Sequence, residues 1–154
     1  MIVFRLSKKN FCTDLSGKGA EKAGGRWNSK GSPMVYTSES RALCTTEIAV
    51  HTPLGNIPSL YYLVTIEIPD SASILELNLT DLPKDWKAIP HSNSTQLIGV
   101  KFLADGKFLV LKVPSVVVQG DFNYLLNPAH KLMSKVKIAN TELFQFDKRL
   151  FKEK

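Results

Sequence analysis

Three side chains of different chemistry follow one another at close spacing in the first third of the chain. Arg26 comes directly after Gly24 and Gly25, Tyr36 lies ten residues later, and Glu47 lies eleven residues after Tyr36. Paired glycines let a backbone approach a ligand closely, and a guanidinium offers directed hydrogen bonds that fit phosphate or ribose oxygens. An aromatic ring adds a flat face, and a carboxylate stabilises positive charge. This combination predicts a site that binds and cleaves a phosphate-bearing nucleotide such as NAD.

These side chains are expected on three different elements. The glycines and the arginine fall in a glycine-, lysine- and serine-rich loop, residues 16–31, and long loops in compact domains are usually functional. The tyrosine lies in a short apolar run, residues 34–37, that predicts a strand. Ser38 is predicted to cap the next helix, which carries the glutamate and ends near Thr52. Loop, strand and helix would then each supply one polar group.

Further along the chain, hydrophobic periodicity predicts more strands than helices. Residues 61–68 alternate in a way that is typical of a half-buried strand. Strands and helices do not alternate regularly, so the sequence predicts one compact α+β domain over residues 1–154, with a mixed or antiparallel sheet. The other predicted elements are strands at residues 2–6, 108–113, 116–118, 136–138 and 143–146, helices at 95–104 and 128–134, and a polar loop at 86–93.

Length and composition exclude several classes of protein. The 154 residues, of which 44% are hydrophobic, are enough to bury about two thirds of the unfolded surface. Cys12 and Cys44 match no metal-ligand spacing and give no disulfide framework, so we expect no metal and a reducing cytoplasm. No apolar stretch approaches the roughly 20 residues of a membrane span, and no signal peptide is evident. We therefore expect a cytoplasmic protein that does not contact a membrane.

The chain is basic, with a formal net charge of +6 and a final cluster of Lys148, Arg149, Lys152 and Lys154. Such a cluster is usually a solvated tail, and the charge favours an anionic partner without identifying it. It leaves open a non-catalytic binding module in which the glycine loop holds a backbone phosphate. No helix-turn-helix, zinc finger or RNP-like strand is evident, so we expect any contact with DNA to be indirect.

Several motifs together resemble one family over most of the chain. They are Arg26-Trp27-Asn28 with Gly31, Tyr36 and Glu47, then Ser94-Thr95-Gln96 with Gly99, Val113-Pro114-Ser115, and Asn123-Tyr124-Leu125-Leu126-Asn127-Pro128 with His130. This set resembles the RES domain, a family named after an arginine, a glutamate and a serine. The matching positions in this sequence are Arg26, Glu47 and Ser115.

The resemblance implies a fold like that of diphtheria-toxin-type ADP-ribosyltransferases and a bacterial type II toxin that acts on NAD. Members of the family hydrolyse or phosphorolyse NAD, while others transfer ADP-ribose to a protein. We favour NAD breakdown because the chain is short, and protein modification remains the alternative. The implied partners are an Xre-type helix-turn-helix antitoxin, which closes the active site and binds the operon DNA, and a second copy of the toxin. NAD is then the substrate, and no cofactor is expected.

The resemblance also assigns roles to side chains. Glu47 is expected to accept a hydrogen bond from the nicotinamide ribose and to stabilise the positive charge that builds on that sugar. Tyr36 is expected to stack on nicotinamide, and Ser115 either orients Glu47 or donates to the substrate. The remaining substrate-binding candidates are Arg26, which is also counted as catalytic, and Arg5, Gly25, Trp27, Asn28, Asn123 and Asn127.

For two of these candidates, Arg5 and Asn127, a purely structural role is an alternative to substrate binding. Arg5 lies within an otherwise apolar strand, where a guanidinium needs an anion or a hydrogen-bonding partner. A phosphate of NAD is one candidate, and a buried structural ion pair is the alternative. Asn127 precedes a proline, as turn residues often do, and His130 is expected either to cap the following helix or to lie at its surface. With Asn123, these two residues are expected to shape the rim of the pocket.

Overall fold

The computed structural model describes residues 1–151, which fold around one seven-stranded sheet. The strands are β1 (Ile2–Lys8), β2 (Val35–Ser38), β3 (Tyr61–Glu67), β4 (Ile74–Glu76), β5 (Val110–Pro114), β6 (Phe122–Leu126) and β7 (Lys137–Phe144). Their order in the sheet is β4-β5-β6-β2-β1-β3-β7. Only the β4–β5 pair is parallel within the described residues. The sheet is therefore mixed, and the predicted α+β class is confirmed.

Three α-helices and four 3-10 turns complete the described chain. The helices are α1 (Lys18–Ala23), α2 (Arg41–His51) and α3 (Asn93–Asp105), and the 3-10 turns are Lys9–Phe11, Leu79–Asp81, Lys131–Lys135 and Lys148–Phe151. Helix α1 lies inside the segment that was predicted to be only a loop. Within residues 1–151, no helix has the length and apolar character needed to cross a membrane.

Helix α2 begins later than predicted, because Ser38 is the last residue of β2 and not a cap. Ser38 pairs with Phe4 of β1 on one side and with Asn123 of β6 on the other. The cap is Ser40, whose side chain accepts a hydrogen bond from the Leu43 backbone N–H at 3.0 Å. Only two residues thus separate the strand that carries Tyr36 from the helix that carries Glu47.

Several predictions for the last third of the chain are wrong. Residues 116–118 form a bend instead of a strand, because the Ser115 hydroxyl accepts hydrogen bonds from Val117 and Val118 N–H and folds the chain back. No element was predicted where strand β6 lies, and it pairs with β2 and β5 inside the sheet. Strand β7 joins the two short strands that were predicted at 136–138 and 143–146. A 3-10 turn at Lys131–Lys135 replaces the helix predicted at 128–134. Earlier in the chain, strand β4 was not predicted.

Strand β3 is buried along the predicted face, and its other face is also buried at Leu63. Val64 and Ile66 pack in one apolar cluster, while Leu63 packs in another with Phe146 and Phe151. The ring of Phe151 stands edge-on to that of Phe146, with 5.6 Å between centroids. The basic end of the chain is therefore not simply a solvated tail as far as residue 151, although Lys152 and Lys154 lie outside the described residues.

Candidate active site

One pocket of about 1050 Å³ gathers most of the side chains that the sequence singled out. Residues of β1, β2, β6 and α2, the loop after α1 and the segment 89–91 line it. This volume is at the upper end of the range for small-molecule sites. Among the predicted residues, those in the lining are Arg5, Gly25, Arg26, Trp27, Tyr36, Glu47 and Asn123.

Glu47 is held through one of its two carboxylate oxygens. Oε1 accepts a hydrogen bond from Asn123 Nδ2 at 2.8 Å and another from Ser115 Oγ at 3.2 Å. No hydrogen bond to Oε2 is found within residues 1–151, and the side chain is half-buried. Because an ionised carboxylate only accepts hydrogen bonds, Oε2 keeps its lone pairs for a donor on a ligand.

Ser115 does not line the pocket and acts on it through Glu47. Its hydroxyl oxygen accepts from the backbone N–H groups of Val117 and Val118, both at 3.1 Å. A serine hydroxyl has two lone pairs and one proton, so its proton is left for Glu47. The structure thus shows the first of the two contacts predicted for Ser115, the one that orients Glu47.

Tyr36 uses its hydroxyl to hold the neighbouring loop. The phenol donates to Asn28 Oδ1 at 2.7 Å and accepts from the Trp27 backbone N–H at 3.1 Å. Burial raises the pKa of Tyr36 above its usual value near 10, so the phenol stays a donor at neutral pH. Since the hydroxyl is occupied within the loop, the ring is the part of Tyr36 that is left for a ligand.

Asn28 lies inside the loop and does not line the pocket. Its side chain is fully buried, and Nδ2 donates to the carbonyl oxygens of Ala20 at 2.8 Å and Ser32 at 2.9 Å. The amide thereby ties α1 to the turn that follows it. The contact that the sequence predicted between Asn28 and substrate is replaced by these internal hydrogen bonds.

Gly25 has no room for a side chain, because side chains that hold the loop lie against its Cα. A Cβ at this position would lie 2.7 Å from Tyr36 Oη and 2.9 Å from Asn28 Oδ1. From the other side, Gln96 Nε2 of α3 donates to the carbonyl oxygens of Gly25 at 3.0 Å and Asn28 at 3.2 Å. Gln96 belongs to the Ser94-Thr95-Gln96 motif, for which the sequence suggested no role. In the structure its side chain holds this loop.

Arg26 joins the loop to the opposite wall of the pocket. Its Nη1 donates to the carbonyl oxygens of Trp86 at 2.6 Å and Ala88 at 3.1 Å. Burial lowers its pKa, while the charge of Glu47 acts in the opposite direction. A guanidinium has five N–H donors, and both of these hydrogen bonds come from the same nitrogen, so donors remain for an anion.

Arg5 supplies a second guanidinium on β1. Its Nη2 donates to the carbonyl oxygen of Phe11 at 2.8 Å, while its buried Nε has no hydrogen-bond partner. Burial lowers the pKa of Arg5, and the negative charge of Asp14 opposes that effect. No ion pair of Arg5 occurs within the described part of the chain. A buried N–H without a partner costs free energy. The terminal N–H groups of Arg5 that Phe11 does not use remain for an anion in the pocket.

Asn127 and His130 lie away from the pocket, so the prediction that they shape its rim is wrong. Asn127 is buried, its Nδ2 donates to the Leu103 carbonyl oxygen at 3.2 Å, and its Oδ1 accepts from Ala129 N–H at 3.0 Å. The substrate contact predicted for Asn127 does not agree with this position. His130 Nδ1 accepts from Leu132 N–H at 3.1 Å and caps the 3-10 turn.

One side chain linked to Glu47 through Asn123 was not among the predicted site residues. Ser38 Oγ donates to Asn123 Oδ1 at 2.7 Å, and Asn123 in turn donates to Glu47. Only the pairing of β2 with β6 brings Ser38 and Asn123 together, and the sequence had placed neither residue in the interior of a sheet.

For metals, no cluster of three or more His, Cys, Asp or Glu side chains suited to an ion occurs in residues 1–151.

Comparison with known proteins places this pocket in context. The sequence model of the RES domain matches residues 2–147. A protein of Sphingobium sp. named "Prs ADP-ribosylating toxin" is 37% identical over 142 residues, which are 91% of this chain and 88% of that protein. "Toxin Res" of Pseudomonas putida is 37% identical over 153 residues, 98% of this chain and 100% of that protein.

A solved structure shows the same fold. The crystal structure of the M. tuberculosis MbcT-MbcA toxin-antitoxin complex superposes with a TM-score of 0.76 and covers 97% of this chain and 86% of the matched chain. Sequence identity to it is 20%. At that identity, the likeness supports the architecture of the sheet and helices and nothing about individual side chains.

Proposed function

The chain belongs to the RES domain family, and on that premise we propose that it is a toxin that breaks the bond between nicotinamide and ribose in NAD. The names of its relatives support a toxin, and one of those names specifies ADP-ribosylation. The pocket supports the bond that we propose to be cleaved. It combines a carboxylate, two guanidinium groups and an aromatic ring, which are the groups required by a sugar cation, a diphosphate and a planar leaving group.

The single observation that carries this proposal is the hydrogen bonding of Glu47. When the glycosidic bond breaks, its electron pair leaves with nicotinamide and positive charge develops on the ribose ring. A carboxylate that is already oriented stabilises this charge more in the transition state than in the ground state. With Oε1 held by Asn123 and Ser115, Oε2 is the atom available to a ribose hydroxyl.

Arg5 and Arg26 are the proposed diphosphate-binding groups. Each lines the pocket, and each carries N–H groups that the described residues do not use. Two guanidiniums match the two negative charges of a diphosphate, and directed N–H groups fix its orientation as well as its affinity. The ring of Tyr36 would then receive nicotinamide, because its hydroxyl is occupied in the loop.

The ribosyl cation needs a nucleophile, and the pocket is open to solvent. Water gives ADP-ribose and one released proton, whereas inorganic phosphate gives an ADP-ribose phosphate. Both outcomes use the same carboxylate and the same arginines, so the product identifies the nucleophile. We propose NAD degradation by one of these two routes as the activity that arrests growth.

A second candidate is the transfer of ADP-ribose to a protein. The observation that favours it is the printed name of the Sphingobium relative, a Prs ADP-ribosylating toxin that matches 91% of this chain at 37% identity. In that reaction a side chain of the acceptor protein takes the place of water. The residues proposed to bind NAD and to stabilise the ribosyl cation stay the same, so the two functions differ only at the mouth of the pocket.

The proposed protein partner is an antitoxin, of the Xre type, that covers the mouth of the pocket. Three exposed apolar side chains line the pocket, with fractional exposures of 60% for Phe11, 56% for Val50 and 88% for Ile89. Exposed apolar groups of this size around a ligand pocket are suited to a protein contact. In this proposal the toxin is a cytoplasmic bacterial homodimer, and the complex reaches DNA through the antitoxin.

Release of nicotinamide from NAD by the purified chain, with and without inorganic phosphate, tests the proposal. Glu47→Gln is expected to lower kcat by about 10²–10³-fold, as loss of other preorganised electrostatic groups does. Glu142→Gln is the matched control, because Glu142 is half-buried on β7, as Glu47 is on α2, and its one ion pair in the described chain is with Arg41. Nicotinamide leaves in all three reactions, so the fate of the ADP-ribose distinguishes them: if label in the ADP-ribose part of NAD accumulates on a protein while free ADP-ribose and ADP-ribose phosphate do not form, transfer replaces degradation. If neither occurs, the chain is not an NAD-cleaving enzyme.

A further inference from the structure

We propose that Ser38 is a positioning residue for this reaction, which acts through Asn123 to fix the Glu47 carboxylate with Oε2 free for the substrate. The inference rests on the proposed function, since it concerns the same carboxylate. It adds a residue that lies outside the arginine, glutamate and serine for which the family is named. Ser38 enters because of where the sheet places it, next to a side chain that touches Glu47.

We call the hydrogen-bonded series Ser38, Asn123 and Glu47 the relay, and the sheet places its first two members side by side. Ser38 of β2 pairs with Asn123 of β6, and Asn123 pairs with Val113 of β5. Neighbouring residues on one rung of a sheet project their side chains to the same face. Glu47 lies on α2, which is separated from β2 by two residues. Ser38, Asn123 and Glu47 therefore form a continuous line of side chains.

The hydrogen bonds along this line have a fixed direction. An ionised carboxylate only accepts, so Asn123 must turn its Nδ2 toward Glu47 Oε1, at 2.8 Å. Its Oδ1 then points the other way and needs a donor, which Ser38 Oγ supplies at 2.7 Å. The opposite orientation of the amide would place Oδ1 against Oε1, oxygen against oxygen. The Glu47 carboxylate therefore sets the orientation of the amide, and the Ser38 hydroxyl stabilises that orientation by satisfying Asn123 Oδ1.

Because Ser38 is buried, loss of its hydrogen bond to Asn123 should be costly. Ser38 is 5% exposed, so water does not readily replace its hydroxyl if the side chain is shortened. Without it, Asn123 Oδ1 loses its donor, and the amide is free to rotate away from Glu47. Ser115 then remains as the single donor to Oε1. A carboxylate held by one hydrogen bond can rotate, and small displacements of catalytic groups cause large losses of rate.

The test is a double-mutant cycle on kcat for nicotinamide release, with Ser38→Ala, Asn123→Ala and the double variant. We expect Ser38→Ala to lower kcat about tenfold with KM changed less than about twofold, and to have almost no further effect once Asn123 is alanine. Thr95→Val is the matched control. Thr95 also has a buried hydroxyl, which bonds the Ser92 carbonyl oxygen in α3 and does not touch Glu47 or the pocket.

Two results would overturn the inference. One is an equal loss of kcat from Ser38→Ala in the wild-type and Asn123→Ala backgrounds, which would show that Ser38 does not act through Asn123. The other is an equal loss from Thr95→Val, which would show a general effect of removing a buried hydroxyl. If Ser38→Ala does not fold, Ser38→Cys, with a weaker donor of similar size, enters the same cycle.

A second measurement separates failure of the relay from failure of the proposed function. If the wild-type chain releases no nicotinamide, the proposed function fails, and the side-chain NH₂ resonances of Asn123 still report on the relay. They are expected to shift and to exchange faster with solvent in Ser38→Ala, and to stay in place in Thr95→Val. Unchanged Asn123 resonances in Ser38→Ala would overturn the relay whatever the activity.

Discussion

Gly99 of α3 packs directly against the backbone carbonyl of Trp27: a Cβ on Gly99 would lie 1.6 Å from the Trp27 oxygen. No rotamer change relieves this overlap, because both partners are backbone. Helix α3 therefore contacts the loop through its own main chain at Gly99 and through the Gln96 side chain one turn earlier. The position of the loop that carries Arg26 is thus fixed by α3, about 70 residues further along the chain.

Gly99→Ala is expected to invert the usual effect of this substitution in a helix. In an open position, alanine stabilises a helix by about 1 kcal/mol relative to glycine. At Gly99 we expect a loss of about 3 kcal/mol, since α3 and the Trp27 backbone must move apart. Urea unfolding measures the change, and nicotinamide release should fall with it as Arg26 is displaced.

Gly19→Ala is the matched control for Gly99→Ala. Gly19 also lies in a helix, α1, and a Cβ there meets no atom within 4 Å. This variant is expected to unfold at an equal or slightly higher urea concentration than wild type. Equal stability of the two alanine variants would contradict the close contact between α3 and Trp27.

Tyr36→Phe separates the hydroxyl of this residue from its ring. Removal of the hydroxyl leaves the fully buried Asn28 Oδ1 and the Trp27 N–H without their shared partner. We expect a loss of about 1–3 kcal/mol in the free energy of unfolding. The ring remains, so KM for NAD should rise less than in Tyr36→Leu, which removes the stacking face. A larger rise in KM for phenylalanine than for leucine would contradict the assigned roles.

Arg26→Lys tests whether the planar guanidinium is required. Arg26 donates through Nη1 to the carbonyl oxygens of Trp86 and Ala88. Its other nitrogens are proposed to bind the diphosphate. An ammonium keeps the charge but not the fork, so KM for NAD is expected to rise about tenfold. Backbone amides 86–91 should also exchange faster with solvent. Arg149→Lys, at an exposed arginine paired with Asp147, is the control and should change neither quantity.

The sequence predicted which elements carry the main pocket residues better than it predicted the contacts that fix those residues. Arg26, Tyr36 and Glu47 were expected on a loop, a strand and a helix, and the structure places them there around one pocket. Their local signals are strong, because glycines, an apolar run and a helical segment are read from neighbouring residues. The orienting contact of Ser115 with Glu47 was also one of the expected alternatives.

The contacts that fix these groups depend on pairings distant in sequence. Ser38 was predicted to be a helix cap, because a serine hydroxyl favours that place in a local window. Asn123 was expected at the rim of the pocket, with no element assigned to it. In the folded chain the two are 85 residues apart in sequence and share a hydrogen bond. Asn28 was predicted to touch substrate, yet its amide is used within the loop, and no pattern in the sequence shows that burial.

Cys44 is expected to make stability fall at alkaline pH. Burial raises the pKa of its thiol to about 11, from 9.0 for an unperturbed thiol. Because the folded-state pKa is the higher one, its contribution is complete below pH 9 and is lost as pH rises toward 11, by roughly 2 kcal/mol. In reducing buffer, the difference in unfolding free energy between wild type and Cys44→Ala should narrow by this amount from pH 8 to pH 11. Tyr36, whose pKa is also raised by burial, adds the same dependence to both proteins and cancels. A difference that stays constant with pH would show that the thiol ionises as readily in the folded as in the unfolded chain.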